Sequence, residues 1–434
     1  MVPRTLVCPD VSSGLFSSPR NERHLNVKLA VDVADDAYDF GGGMLGGFQR
    51  FDLKDLAKSA DIYSRESGNG VYTPDMLQLI PAWQDQSIVF DTIGSIRVQR
   101  AVFAYSDFIS LADYADVFKE SPIKHRLLKG GTFCFGASLP FIQVQSSGRY
   151  EVNRVLSAEP FKGAVAAVDQ KIERLRVELF DQIGLVGNVW DHKGIGDVSI
   201  YAGIESHTEY FLRLRSLDVA FLFGALLPTG MQRDQKCPVS IPLSLSSVGF
   251  NIQTYLELGL KDYLHMGFMS GLMIARAKHH EMRLPVYQEP SAFSPLLTHV
   301  YAEPGLTGWL NPYFKISNIA NNLHLTVNYA CVWHGQDKYD GDRVTRPVQS
   351  VLMRNVDSEP YGTTKSERDA AIKKFYESTA WSSRHIGLAF TYEPYQADKY
   401  AKINPLLSVG FQMSHKGSNI PKLLHLFGLL TLQF

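Results

Sequence analysis

Three stretches of this sequence have residue types and spacings that could do chemistry. His279-His280-Glu281 sets two imidazoles beside a carboxylate, as a transition metal would want. Asp337, Asp340 and Asp342 around Gly341 offer hard oxygen ligands of the kind calcium takes, but without the spacing or terminal Glu of an EF-hand. Gly41-Gly42-Gly43 and Gly46-Gly47 lack the Lys-Ser/Thr that a phosphate-binding loop requires, and read as a flexible segment. Neither a GxSxG elbow nor an HExxH pair occurs. Cys8, Cys134, Cys237 and Cys331 lie far apart without a CxxC, and read as four independent residues. Adjacent histidines in a polar segment are ordinarily solvated. The expectation is therefore no catalytic residue, no metal, no cofactor and no enzyme.

The elements that carry these residues are informative. Segments of about ten residues alternate with period two, the mark of strands. Phe250, Ile252, Thr254, Leu256, Leu258 and Leu260 oppose Asn251, Gln253, Tyr255, Glu257 and Gly259. After a tight turn at Lys261-Asp262, Leu264, Met266, Phe268, Leu272 and Ile274 oppose His265, Gly267, Met269 and Gly271. The same pattern recurs around Val27–Val33, Thr132–Leu139, Val198–Ile204, Leu323–Trp333, Ile386–Tyr392 and Ile403–Met413. It is less clean over Ile88–Gln99, and between Phe211 and Leu226 the phase changes near Ser216, as at a bulge.

Two features separate a membrane barrel from a water-soluble sandwich. The first is the polar face, which is Gly, Ser, Asn, His and Tyr with single charges, as in a crowded wet interior, rather than Lys, Glu and Thr. The second is the alternation of connections. The links 394–401, 319–322, 261–262 and 206–210 are short; 335–383, 279–305, 227–247 and 146–195 are long; and 415–422 is medium. Short periplasmic turns alternating with long outer loops are the plan of an outer-membrane barrel. Composition agrees. The 434 residues are 45% hydrophobic and 20% charged, and a mean hydropathy of −0.09 is what two opposed faces average to. No run of about 18 apolar residues exists to form a spanning helix. A net charge of −1 leaves no footprint for nucleic acid.

The spacing of Val165, Val168, Ile172, Leu175, Leu179 and Ile183 predicts an amphipathic helix over about 162–184. Ser366 with Asp369 opens a second, carrying Ala371, Ile372 and Phe375. Both fall in outer loops. Residues 35–86 have no clear period and read as a plug or a long loop, and 1–25 as an N-terminal periplasmic segment of a single 1–434 barrel domain. The polar faces carry the candidate lumen-lining residues Lys28, Asp32, Asp91, Arg97, Asp197, Glu205, Arg213, Glu257, His265, His324, His385 and Glu393. They serve either as ion pairs in a wet lumen or as a constriction that selects solutes.

The chain closes on Leu424, Leu426, Gly428, Leu430, Leu432 and Phe434 along one face. This strand resembles the C-terminal assembly signal of bacterial outer-membrane proteins, in which alternate hydrophobic residues precede a terminal Phe. Leu430, Leu432 and Phe434 match, although an aromatic is common where Leu432 stands and Gly428 is one place from the usual glycine. Leu226-Leu227-Pro228-Thr229-Gly230 is similar to a turn of porin-like barrels. The resemblance implies a closed antiparallel transmembrane β-barrel of 12 or 14 strands with both termini periplasmic. It also implies membrane lipids and the barrel assembly machinery as partners, with small-molecule solutes in the lumen. Met1 to Pro9 has no apolar signal segment, so the given sequence reads as the mature form. The expected function is an outer-membrane channel. The alternatives are a transporter of hydrophobic, fatty-acid-type substrates, with 35–86 as its plug, and a structural or adhesive surface barrel.

Overall fold

A computed structural model describes residues 24–34, 37–38, 51–53, 55–56, 59–60, 88–111, 131–154, 165–210, 214–242, 244, 247–284, 290–295, 297–340, 377, 379–393, 404–418 and 420–433. The second helix expected from Ser366, and Cys8, Arg213, Asp342, Phe434 and most of 35–86, lie outside them.

Twelve strands close into one antiparallel ring. They are β1 (His24–Ala34), β2 (Ile88–Ser110), β3 (Gly131–Arg154), β4 (Val198–Glu209), β5 (Ser216–Leu227), β6 (Gly249–Lys261), β7 (Leu264–Ala275), β8 (Thr307–Ala320), β9 (Leu323–His334), β10 (Trp381–Tyr392), β11 (Asn404–Ser418) and β12 (Leu424–Gln433). Each pairs with its neighbours in sequence, and β1 joins β12 from His24↔Gln433 to Val33↔Leu424. Closure leaves no edge strand, which a hydrocarbon medium demands because unpaired backbone groups cannot find water there.

One end of the barrel gathers the tight turns, 262–263 and 321–322, and the links 111–130, 210–215 and 393–403. Asn322 takes the left-handed φ of 67° that a short polar side chain tolerates. The other end gathers the long links 35–87, 155–197, 276–306 and 335–380. These are called the turn end and the loop end. Two local expectations shift. The change of phase near Ser216 is not a bulge but the turn itself: β4 runs on to Glu209, Tyr210 bends with φ 51°, and Glu209 pairs with Ser216. Likewise β6 runs through Lys261, so its turn falls one residue later.

β2 and β3 are 23 and 24 residues long, against about 9–11 for crossing a bilayer. Their surplus projects at the loop end, where Val189–Ile195 pairs with Phe141–Ser147 of β3. Gly196-Asp197 separates that short strand from β4, and the Pro-Thr-Gly turn fills the break. Thr229 Oγ1 donates to Gly196 O at 2.8 Å and accepts from Val198 N at 3.0 Å, and Gly230 N donates to Asp197 Oδ1 at 3.1 Å. A second small sheet is built from Lys278–Arg283, Leu297–Glu303 and Lys338–Asp340. Helix α1 (Val165–Gln182) lies in the 155–197 link.

These loop-end pieces form an apolar cap. Phe51, Leu56, Phe90, Leu179, Phe180 and Phe293 are buried together, with ring centroids of Phe51, Phe90, Phe180 and Phe293 4.5 to 5.9 Å apart. Arg283 ties the cap down. Its guanidinium donates to Gln235 O at 2.7 Å, Ser294 O at 2.5 Å, Ile183 O at 3.1 Å and Gly184 O at 3.2 Å. One cation thus satisfies the carbonyls just past α1 together with two other loops.

Candidate functional site

The strands sort their side chains by parity. Outward positions are large and apolar yet exposed: Leu29 is 60% exposed, Phe250 59% and Ile274 61%. Inward positions are polar yet buried: Asp32 is 2% exposed, Lys28 4% and Arg100 7%. A soluble protein does the reverse. A continuous belt of this size is found where lipid, not water, is the neighbour. The barrel therefore spans a membrane, and its interior is the candidate site.

Across the closing seam, Arg100 (β2) donates from Nη2 to Asp32 Oδ2 (β1) at 2.7 Å, and Asp32 Oδ1 lies 2.5 Å from His425 Nδ1 (β12). Lys28 sits over the Phe427 ring, 4.7 Å from its centroid. Thr431 Oγ1 donates to Asn26 Oδ1 at 2.7 Å, and His385 Nε2 bonds Ser383 Oγ at 2.8 Å. In a low-dielectric wall a charge holds its place only when paired and hydrogen-bonded, and this network supplies both.

Strands β4 to β8 carry a second cluster, richer in acid. Glu257 Oε2 accepts from Tyr255 Oη at 2.9 Å and Tyr313 Oη at 2.6 Å, while His265 Nδ1 is 3.3 Å from Oε1. The His265 contact has ion-pair distance but not hydrogen-bond geometry, since Nδ1 finds no hydrogen-bond partner. His207 Nδ1 lies 2.5 Å from Asp218 Oδ1, Glu205 is buried beside them, and Lys315 faces inward half-buried. Inward glycines make room for rings: a side chain at Gly271 would strike Trp309, and one at Gly410 would strike Phe427. At these levels aromatic rings lie against the inner wall.

Of the residues singled out from sequence, the structure places Lys28, Asp32, Glu205, Glu257 and His385 on the buried inward face. His265 and His324 are half-buried, the latter 3.7 Å from Glu393. Asp197 is in the Gly196-Asp197 break rather than on a strand. Asp91 belongs to β2. Arg97 departs from expectation and is exposed on the outward face, because Ile96 and Val98 take the inward positions and pack with Ala34, Ile142 and Val144 under the cap. Arg100, His425, Tyr313 and Asp218 are not among the residues expected from sequence, and Tyr255 is there only as a member of a polar face. The signal for His425 was available, since it alternates with the leucines of the last strand.

His280 and Glu281 pair along a strand with Val300 and His299. Asp337 is spent within the protein: Oδ1 bonds His334 Nε2 at 3.0 Å and Gly305 N at 2.7 Å. Burial pushes its carboxyl up, but the His334 and Gly305 contacts outweigh that and hold it below the ordinary value. Thr307 Oγ1, His334 and Asp337 form a relay at 2.8 and 3.0 Å. With side chains of His334 and Asp337 at 0% exposure, it pins the 335–340 segment to β8 and β9. Among the described residues no group of three His, Cys, Asp or Glu could hold a metal, and Cys134, Cys237 and Cys331 are free.

No family model matches the chain, and no curated protein matches it either. Among solved structures it is similar to the crystal structure of an outer-membrane channel from Pseudomonas putida F1, at 10% identity and a TM-score of 0.52, covering 98% of this chain and 100% of that one. It has the fold of an outer-membrane β-barrel. The β domain of the Bordetella autotransporter BrkA has a TM-score of 0.37 at 9% identity, over 96% of this chain and 100% of that one. A Pseudomonas aeruginosa FadL homologue has a TM-score of 0.27 at 9% identity, over 95% and 90%.

Proposed function

We propose that this outer-membrane barrel is a channel for small polar solutes, with its loop end outside the cell and both termini in the periplasm. The observation that carries the reading is the charged, hydrogen-bonded interior behind a lipid-exposed wall. A barrel that served only as a scaffold could fill its lumen with apolar side chains. Ionisable groups at membrane depth are costly and mark solute or ion paths. Lys28, Asp32, Arg100 and His425 would form one side of the path, and Glu205, Asp218 and Glu257 the other, so that passing solutes meet cations and carboxylates together. His265, His324, His385 and Glu393 would line the remainder, with Asp91 and Arg213 as continuing candidates.

The cap makes this a channel with a cover. Helix α1 and Phe51, Leu53, Leu56 and Ala60 supply part of its core, which supports reading 35–86 as a plug-like segment. The single-channel current of the whole chain in a planar bilayer is expected to be small, and deletion of 160–186 to raise it while heat-modifiable gel mobility still reports a folded barrel. Silence in both proteins would favour the surface scaffold. Passage of apolar rather than polar solutes is the second reading, favoured by the aromatic cap alone; faster uptake of hydrocarbons than of sugars would select it. Assembly is expected to depend on Phe434. Phe434→Ser should lower membrane insertion in cells far more than refolding in detergent, and equal insertion would remove the assembly-signal reading.

A further inference from the structure

Solute passage makes no use of a groove on the lipid-facing wall. Register sets outward side chains in rows across the strands. One row runs Ile195, Phe141, Ala101, Leu29, Gly428 and Val409. The next, two residues nearer the loop end, runs Lys193, Gln143, Gln99, Val31 and Leu426. Between the rows lies a groove of about 890 Å³. Its floor is the backbone of the intervening residues, among them Ile142, Arg100, Ala30 and Phe427, whose side chains belong to the inward face. Six strands at roughly 4.8 Å spacing make it about 24 Å long.

The two ends of the groove differ. From β11 to β1 both rows are apolar, and the trough is deepened where Gly428 leaves open space for a side chain. From β2 to the Val189–Ile195 strand, the loop-end row becomes Gln99, Gln143 and Lys193. Strands in barrels tilt by roughly 35–45°, so a row perpendicular to them climbs obliquely from the lipid zone toward water. The next carboxylate, Asp191, accepts from Gln143 Nε2 at 3.3 Å and Gln145 Nε2 at 3.0 Å. Asp191 keeps its charge one row beyond the groove, and among the side chains that form the groove walls Lys193 carries the one charge.

We propose that this groove binds a membrane phospholipid with an anionic headgroup. One acyl chain lies in the trough over Gly428 and Ala101, and the phosphate rests on Lys193 with Gln99 and Gln143 as neutral donors. The surrounding bilayer supplies the occupant, the polarity gradient fixes its direction, and the single cation selects its charge. The inference rests on the barrel standing in a membrane and is independent of whether it conducts.

The test uses the full chain in detergent with equimolar phosphatidylglycerol and phosphatidylcholine, and native mass spectrometry to count the lipids retained. Wild type is expected to keep one phosphatidylglycerol over phosphatidylcholine by about tenfold, the scale of one charge-assisted contact. Lys193→Glu should abolish that preference. Gly428→Leu, placed where no atom lies within 4 Å of the new Cβ, should reduce retention of both lipids, and Ala101→Leu serves as a second filling of the trough. Heat-modifiable mobility checks that each variant is folded. Undiminished preference in Lys193→Glu overturns the headgroup assignment, and undiminished retention in the filled variants overturns the groove.

Discussion

The two halves of β2 follow one alternation and opposite polarity. From Ala101 to Ile109 the outward positions include Phe103, Tyr105 and Ile109, all exposed, while Arg100 and Ser106 point inward and are buried. From Ser95 to Gln99 the phase is unbroken, yet Ile96 and Val98 are buried inside and Ser95 and Arg97 stand outside. β3 inverts at the same level: Phe133, Phe135 and Phe141 are exposed toward lipid, whereas beyond them Gln143 and Gln145 face out and Ile142 and Val144 face in. The backbone dictates only that side chains alternate. Which set is apolar depends on the medium outside, lipid along the barrel and water along the extension, and on what fills the inside, a polar network in the first and the cap in the second.

The contrast can be broken most severely from inside the barrel. Asp32→Ala removes the carboxylate that Arg100 and His425 share in the wall, and should cost about 3–5 kcal/mol. Urea titration of unfolding in lipid vesicles measures it, and a loss under about 1 kcal/mol would mean that water reaches the seam. Phe293→Ala removes a ring from the cap, a loss of the order of 3–5 kcal/mol to that unit. It should open α1 to proteolysis while barrel unfolding stays unchanged; coupled loss of both would make cap and barrel one cooperative unit.

The outward face separates the two media directly. Phe103→Arg should cost about 2–4 kcal/mol, as for a cation near the bilayer midplane. Ser95→Arg, on the same strand and face but in the extension, should fall within about 0.5 kcal/mol of wild type. Folded fractions by heat-modifiable mobility compare them, and equal tolerance would put both positions in one medium. The smallest effect is expected of Arg97→Ala, within about 0.5 kcal/mol for an exposed side chain. A drop in conductance from that change would return Arg97 to the solute path.

The alternation of Phe250 to Leu260 and the parity of long and short links were legible in the residues because both are local. A period of two needs only near neighbours, and a two-residue turn carries its own chemistry. Arg97 departs from the expectation because polarity marks the inside only where lipid surrounds the wall, and no residue near it announces that lipid has given way to water. The strand count of 12 and the seam were beyond local reading as well. Asp32 meets His425 across 393 positions of chain, and Arg100 across 68. That meeting depends on the register with which the ring closes, which is a sum over every strand between them. The sequence determined which faces each strand would present. Only closure of the tertiary structure decided which side chains would share the interior, because hydrogen-bonded register, not sequence distance, sets who faces whom.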